Sequence, residues 1–298
     1  MRVFLTGATG FVGSVVLEDL IQAGHQVLAL VRGDDAAARV ALAGAEAHRG
    51  DLSAPDDLAA AAKTCDGVIH TAFIHDFSNL AESAKIDLAA IEAIGAALAG
   101  SGKPFVVTSA IGVLSPGRLV TENDVPMPDS AGAHRVASEL AALALAKRGV
   151  RASVVRLPPS VHGEGDYGFV PALIGIARKQ AASAYIGDGM NRWPAVHRRD
   201  AARLYRLALE SGVAGTAYHG VADEGVATRH IAEVIGRRLD VPVQGLSDEQ
   251  AAGHFGWLGR FFGADWFASS AQTQQSLGWK PTHPGLLEDL DRAAYFSG

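Results

Sequence analysis

Over the first 160 residues, short runs rich in Val, Ile, Leu and Phe alternate with longer Ala- and Leu-rich stretches. Residues 3–5, 26–31, 46–48, 67–70, 105–108 and 152–157 read as strands, because β-branched and aromatic residues cluster there between turn formers. Residues 11–23, 56–63, 80–98 and 135–147 read as helices. Strands regularly separated by helices predict a parallel sheet covered on both faces, and such sheets take ligands at the carboxyl ends of their strands. After Pro158-Pro159 the rhythm loosens. A Gly-rich stretch at 162–168 precedes helices expected at 170–180, 199–210 and 228–239, the last with Thr228 as N-cap. Short strands are expected at 185–186 and 218–219, and helices at 269–277 and 286–295. The expected class is α/β: a Rossmann-type doubly wound parallel sheet with a smaller C-terminal lobe. Residues 1–160 would form the dinucleotide-binding core. Residues 161–298 would form mainly the substrate lobe, with segments returning to the core as one integrated unit.

Composition narrows the class of partner. The chain has 298 residues, 48% of them hydrophobic and 19% charged, which is ample for a buried core. A net charge of -6 speaks against nucleic acid as partner. Cys65 is the one cysteine, so neither an internal disulfide nor a cysteine metal cluster can form. His219 and His230 are too scattered to suggest a metal site, and no G-x-S-x-G elbow suggests a serine hydrolase. With no leader-like N-terminus and no long apolar run, a cytoplasmic protein without membrane association is expected.

The chemistry begins at Thr6-Gly7-Ala8-Thr9-Gly10-Phe11-Val12-Gly13. The segment follows a strand and opens a helix. Its glycines permit a tight turn, backbone approach to a pyrophosphate and close helix–strand packing, while the helix end offers free N–H groups. The second strand ends at Arg32, followed by Asp34 and Asp35. Arginine at that tip can grip the 2′-phosphate of NADP through a charge-assisted fork. The competing arrangement has Asp34 on the ribose of NAD. The cofactor expectation is NADP, with NAD as the alternative.

These motifs resemble the short-chain dehydrogenase/reductase superfamily, in its extended or atypical branch of NAD(P)-dependent epimerase/dehydratase-like proteins. The resemblance runs over almost the whole chain. It implies that Gly7, Thr9, Gly10, Phe11, Val12 and Gly13 hold the pyrophosphate, and that Asp51 and Leu52 of Gly50-Asp51-Leu52 contact the adenine. Thr71 and Ala72 of His70-Thr71-Ala72 would pass the cofactor by their backbone. Ser109 would stand at the catalytic serine, and Pro158 would lie in the Arg-Pro stretch before the substrate lobe. Ile186-Gly187-Asp188-Gly189, Val196-His197-Arg198-Arg199-Asp200 and Leu277-Gly278-Trp279-Lys280-Pro281 also look like pieces of the branch.

One part of the pattern is missing. The family's tyrosine, with a lysine four residues on, has no counterpart, because no tyrosine lies between Ser109 and Tyr167. One register puts Arg135 at the lysine and Ala131 at the tyrosine, with Glu139 at a later helix glutamate. Another puts His134 at the tyrosine and Ser138 at the lysine. Arg135 could donate to the nicotinamide ribose but could not supply a proton. Ser109, His134, Tyr167, His162 or water remain as proton sources, histidine having the best-matched pKa. The aromatic cluster Phe255, Trp257, Phe261, Phe262, Trp266 and Phe267 could pack a core, line an apolar pocket or meet another subunit.

The expected function is an NADP-dependent oxidoreductase moving hydride between nicotinamide and a small organic carbonyl or activated C=C substrate. Ser109, His134, Arg135 and Tyr167 are its candidate catalytic residues. A non-catalytic NADP(H) sensor and an NAD-dependent sugar-nucleotide epimerase or dehydratase are the alternatives. A homodimer is implied by the resemblance alone.

Overall fold

In the first strand, Val3 and Leu5 face one way and Phe4 the other, and all three are fully buried. That period of two, with both faces apolar, is the mark of a strand inside a covered parallel sheet. The computed structural model, which describes residues 1–76 and 78–297, repeats it across seven strands. They are β1 (Arg2–Thr6), β2 (Gln26–Val31), β3 (Glu46–Arg49), β4 (Gly67–His70), β5 (Pro104–Ala110), β6 (Arg151–Leu157) and β7 (Thr216–His219). Their order is β3-β2-β1-β4-β5-β6-β7, every pair parallel. The order reverses between β1 and β4, where such sheets open a crevice for ligands.

Helices cover both faces. Val3, Leu5, Val106 and Val155 pack with α1 (Phe11–Gln22) and, beside it, the later helix Arg198–Ser211. Phe4, Phe105, Val107 and Val154 pack with α3 (Pro55–Lys63), α4 (Leu80–Leu98) and α5 (Val136–Ala144). One helix was not foreseen: α2 (Asp34–Leu42) buries only Val40, too little apolar spacing to register as a face. The helix expected at 135–147 is shorter. It is α5, entered by a 3-10 turn at Ala133–Arg135 and left by another at Leu145–Arg148.

The C-terminal half contributes α6 (Phe169–Gln180), α7 (Arg198–Ser211) and α8 (Thr228–Leu239). A small sheet joins Ser160–His162 to Arg192–His197 in parallel and Arg192–His197 to Asp223–Ala227 antiparallel. The strand at Arg192–His197 was not foreseen, since two charged or polar ends and a proline obscure its pattern. Phe255, Phe262 and Trp266 are buried in the core beneath it, whereas Trp257 is exposed. Most of the aromatic cluster is therefore core packing. Thr228 is not the N-cap of α8: Ala227 holds that place, and the Thr228 hydroxyl donates to Asn191 Oδ1 at 2.7 Å. The final helices are also shorter, at Ala271–Leu277 and Leu286–Leu290, with a 3-10 turn at Ala293–Tyr295.

Asp200, in the first turn of α7, fastens the chain's last segment to the sheet. Its buried carboxylate accepts from Thr282 N–H and His283 N–H, each at 3.0 Å, and from His283 Nδ1 at 2.9 Å. Its backbone carbonyl takes the Trp279 indole N–H at 2.9 Å. Replacing Asp200 by Ala would strand three donors and is expected to cost about 3 kcal/mol, read as a lower urea midpoint. A midpoint equal to wild type would show that the segment is held by packing alone.

Candidate active site at the strand ends

The glycine loop is built by close backbone contact. Gly7 has φ +75, and a Cβ there would lie 2.7 Å from Ala72 N. A Cβ on Gly13 would lie 2.0 Å from the Gly7 carbonyl oxygen, so no larger residue fits between loop and helix. Thr71 Oγ1 donates to the Thr6 carbonyl at 2.7 Å, and Ala72 N–H to Thr6 Oγ1 at 3.3 Å. These bonds close the ends of β1 and β4 around the switch point. Gly10 precedes helix α1 as its N-cap with no side-chain cap, and its own N–H turns back to the Gly7 carbonyl at 2.9 Å, which leaves the Val12 and Gly13 amides for a ligand. Thr9 lies in the turn, and Phe11 and Val12 open the helix half-buried. The cradle fits a dinucleotide pyrophosphate.

A loop from the C-terminal half lies over this cradle. The Tyr167 hydroxyl accepts from Phe11 N–H at 3.3 Å, and the two rings meet edge to face at 5.8 Å. The Arg198 guanidinium sits 4.4 Å from the Phe11 ring centroid and donates to Ser14 Oγ at 2.8 Å and to the Glu164 carbonyl. Tyr295 holds the loop from behind, accepting from Gly163 N–H at 3.0 Å and donating to Asp166 Oδ2 at 3.2 Å. Burial pushes the Asp166 carboxyl up to about 6. Tyr167 is thus a neighbour of the phosphate loop, whereas the sequence reading set it among proton donors.

At the adenosine end, Arg32 is exposed just past β2. Asp34, the rival ribose ligand, is paired with Arg49 from the end of β3. Asp51 accepts from Ser53 N–H at 2.9 Å and Ser53 Oγ at 2.7 Å, which lowers its pKa, with the Arg32 charge adding to the effect. Leu52 is buried beside it.

At the other end, beyond β4 and β5, the charges are arranged differently. The buried His70 accepts from Thr6 Oγ1 at 2.9 Å and donates to Asp87 at 3.1 Å. Arg135 is only 9% exposed, and its guanidinium lies 3.6 Å from the Phe73 ring centroid. His134 rests against the same ring at 5.8 Å. Burial, helped by the Arg135 charge, takes His134 down to about 4 and lowers His75 as well. A histidine held that low is mostly neutral at pH 7, which makes it a poor acid.

Ser109 does not reach this cleft. It is 2% exposed, and its hydroxyl donates to Glu139 on α5. Glu139 in turn receives Arg156 Nε at 3.1 Å and a terminal guanidinium nitrogen at 2.7 Å. Strand alternation explains the misplacement: Ser109 points to the α5 side, while Thr108, bonded to Tyr205 of α7 at 2.7 Å, points to the opposite side. Pro158 is buried just past β6. Arg198, Phe73 and Asp87 are functional candidates that sequence reasoning missed. The His197-Arg198-Arg199-Asp200 run was noticed, but nothing in it revealed which arginine turns toward the phosphate loop.

The comparisons with known proteins bear on family and fold. The model of the NAD dependent epimerase/dehydratase family matches residues 3–220. An uncharacterized protein of Schizosaccharomyces pombe is 51% identical, covering 99% of this chain and 100% of that protein. The sterol-4-alpha-carboxylate 3-dehydrogenase of Dictyostelium discoideum is 30% identical, covering 76% and 73%. Among solved structures, DesIV, a dTDP-glucose 4,6-dehydratase from Streptomyces venezuelae with NAD and TYD bound, gives a TM-score of 0.78 at 20% identity, covering 99% of this chain and 97% of that one. At that identity the likeness is one of fold.

The chain belongs to the NAD dependent epimerase/dehydratase family, within the short-chain dehydrogenase/reductase superfamily. It is an NAD(P)-dependent enzyme of oxidoreductase type acting on small molecules. Among the described residues no helix is long and apolar enough to cross a membrane.

Two outcomes follow. Replacing Arg198 by Ala should raise the dissociation constant for the dinucleotide about tenfold or more, the worth of one charge-assisted phosphate contact. An unchanged constant in a fluorescence titration would make Arg198 purely a loop anchor. The second concerns pH. His134 and His197 are held at about 4 and His219 at about 3, chiefly by burial, so each binds its proton more readily unfolded. Their stabilisation is complete above about pH 6.5 and is lost as pH falls toward 4. Asp166, raised to about 6, works the other way, its contribution fading as pH rises from about 4 to 6. Three histidines outweigh one carboxyl, so the urea midpoint should fall on acidification from pH 6.5 to 4. A midpoint that rises over that range would contradict the burial of these imidazoles.

Proposed function

We propose that the enzyme is an NADP-dependent reductase of small organic molecules carrying a carbonyl or an activated C=C bond. One observation carries the cofactor preference: Arg49 engages Asp34, while Arg32 makes no ion pair among the described residues. An arginine at the tip of β2 suits a 2′-phosphate, and the carboxylate that would favour an unphosphorylated ribose is already held.

Bound reduced nicotinamide supplies a hydride. The protein's own part is positioning and charge. The amides of Val12 and Gly13 and the Gly7 turn hold the pyrophosphate, with Arg198 above them. The backbone at Thr71 and Ala72 borders the path toward the nicotinamide. Arg135, in the lysine register, reaches the nicotinamide ribose and brings a fixed positive charge to the reacting end. Ser109 serves this site through Glu139, holding α5 against β5, and Tyr167 serves at the phosphate end. Neither supplies the proton in this reading, His162 is fully buried against Asp289 at 2.9 Å, and His134 is mostly neutral, which leaves water as the proton source. The Dictyostelium dehydrogenase supports oxidoreductase chemistry over the dehydratase alternative.

The test is a paired titration with NADPH and NADH, followed by protein fluorescence. NADPH should bind more tightly, and Arg32→Ala should weaken NADPH by about tenfold while leaving NADH within about twofold, as expected for one lost arginine–phosphate pair. Equal losses for the two cofactors would return the ribose contact to Asp34 and the preference to NAD.

A further inference from the structure

Arg135 has a property that binding a ribose does not explain. Its guanidinium is nine-tenths buried, stacked on Phe73, and makes no hydrogen bond or ion pair among the described residues. The five N–H donors of its fixed fork thus have no protein acceptor among the described residues and are left for water or a ligand. Two groups face it, and the Asp87 carboxylate offsets part of its charge, its Oδ2 having no hydrogen-bond partner among the described residues. Asp87 Oδ1 accepts from His70 Nε2 at 3.1 Å, and the Tyr205 hydroxyl is bonded to Thr108 at 2.7 Å. His134 and His75 are its neighbours around Phe73, and both are driven neutral. The corner therefore combines a guanidinium whose N–H donors make no hydrogen bond among the described residues with imidazoles that are mostly neutral.

That combination discriminates among reductions. Hydride addition to an isolated ketone produces an alkoxide, a strong base that requires an acid in the same step. Hydride addition to a quinone or an enone produces a phenolate or enolate. That anion is delocalised, more weakly basic and stable enough to await a proton from water. We infer that Arg135 receives the oxyanion formed on reduction, and that the substrate is a planar conjugated acceptor, a quinone or an enone, rather than a simple ketone.

The inference rests on the reductase reading above. In the step, the β-carbon of the acceptor gains the hydride of the reduced nicotinamide, which is thereby oxidised. The C=C pair shifts to form the enolate C=C bond, and the carbonyl pair moves onto oxygen. The anion rests on the Arg135 fork until water protonates it. Phe73 backs the guanidinium and keeps its plane fixed, so the fork meets a flat oxyanion without reorganising.

A non-reacting probe separates this role from turnover. 4-Nitrophenol resembles the reduced product in charge and shape, and its phenolate is yellow. Each variant is first titrated with NADPH, then saturated with NADP and titrated with 4-nitrophenol across pH. Wild type should lower the probe's apparent pKa by about one unit, as a cation within contact distance does. Arg135→Lys should keep part of that shift and Arg135→Met should lose it. In parallel, wild type should reduce 1,4-naphthoquinone at least tenfold faster than cyclohexanone at equal concentration.

If NADPH binds but Arg135→Met leaves the probe's pKa as in wild type, the oxyanion role is overturned and the reductase reading stands. Equal or faster reduction of cyclohexanone overturns the substrate class. Failure of the wild-type chain to bind NADPH removes the reductase reading and this inference with it.

Discussion

The buried Arg156 guanidinium holds the sheet to everything that shapes the cleft. It is 1% exposed and makes five hydrogen bonds to four partners from β6. Besides its two bonds to Glu139, it donates to the Asp124 carbonyl at 2.9 Å, the Glu122 carbonyl at 3.4 Å and His219 Nε2 at 3.2 Å. A charge this deep is tolerated only when its donors are met and its countercharge is fixed. Meeting them ties α5, β7 and the 122–124 loop to one point. The Glu122 side chain extends the network by accepting from Thr273 N–H and Oγ1, each at 2.7 Å, in the last third of the chain. Glu139 extends it in the other direction, to Ser109.

The cleft inherits its asymmetry from this packing. At the phosphate end, binding groups are backbone amides, and the requirement is the absence of side chains at Gly7 and Gly13. At the far end they are side chains on α4, α5 and the turn before α5, and the requirement is charge. Arg135 lies in that turn, one residue before α5, so the hub that fixes α5 also fixes where the guanidinium lies. The same burial that costs Arg135 its water lowers the neighbouring imidazoles. A cation and neutral histidines are thus one electrostatic outcome, produced by one low-dielectric corner.

Much of this could be read from residue order. Strands, the glycine loop and the loss of the family tyrosine all follow from local pattern, because periodicity and backbone permissiveness are local properties. α2 was invisible because a helix with one buried residue leaves almost no periodic trace. Ser109 was misjudged for another reason. A serine at a strand end looks alike whether it points to the cleft or to a buried glutamate, and one residue of alternation decides between them. Where Tyr167 comes to rest was equally hidden, because a loop's reach depends on what anchors it, here Tyr295, more than a hundred residues later.

By itself, then, the sequence determined the parallel α/β core, the dinucleotide cradle and the absence of the usual tyrosine and lysine. These depend on spacing along the chain and on where glycine is allowed. Only the tertiary structure decided which charges are spent. It paired Asp34 with Arg49, gave Ser109 to Glu139, set Arg198 above the phosphate loop and left Arg135 buried without an acceptor among the described residues. Each of those outcomes depends on distance and dielectric between groups far apart in the chain, and neither quantity is carried by residue order.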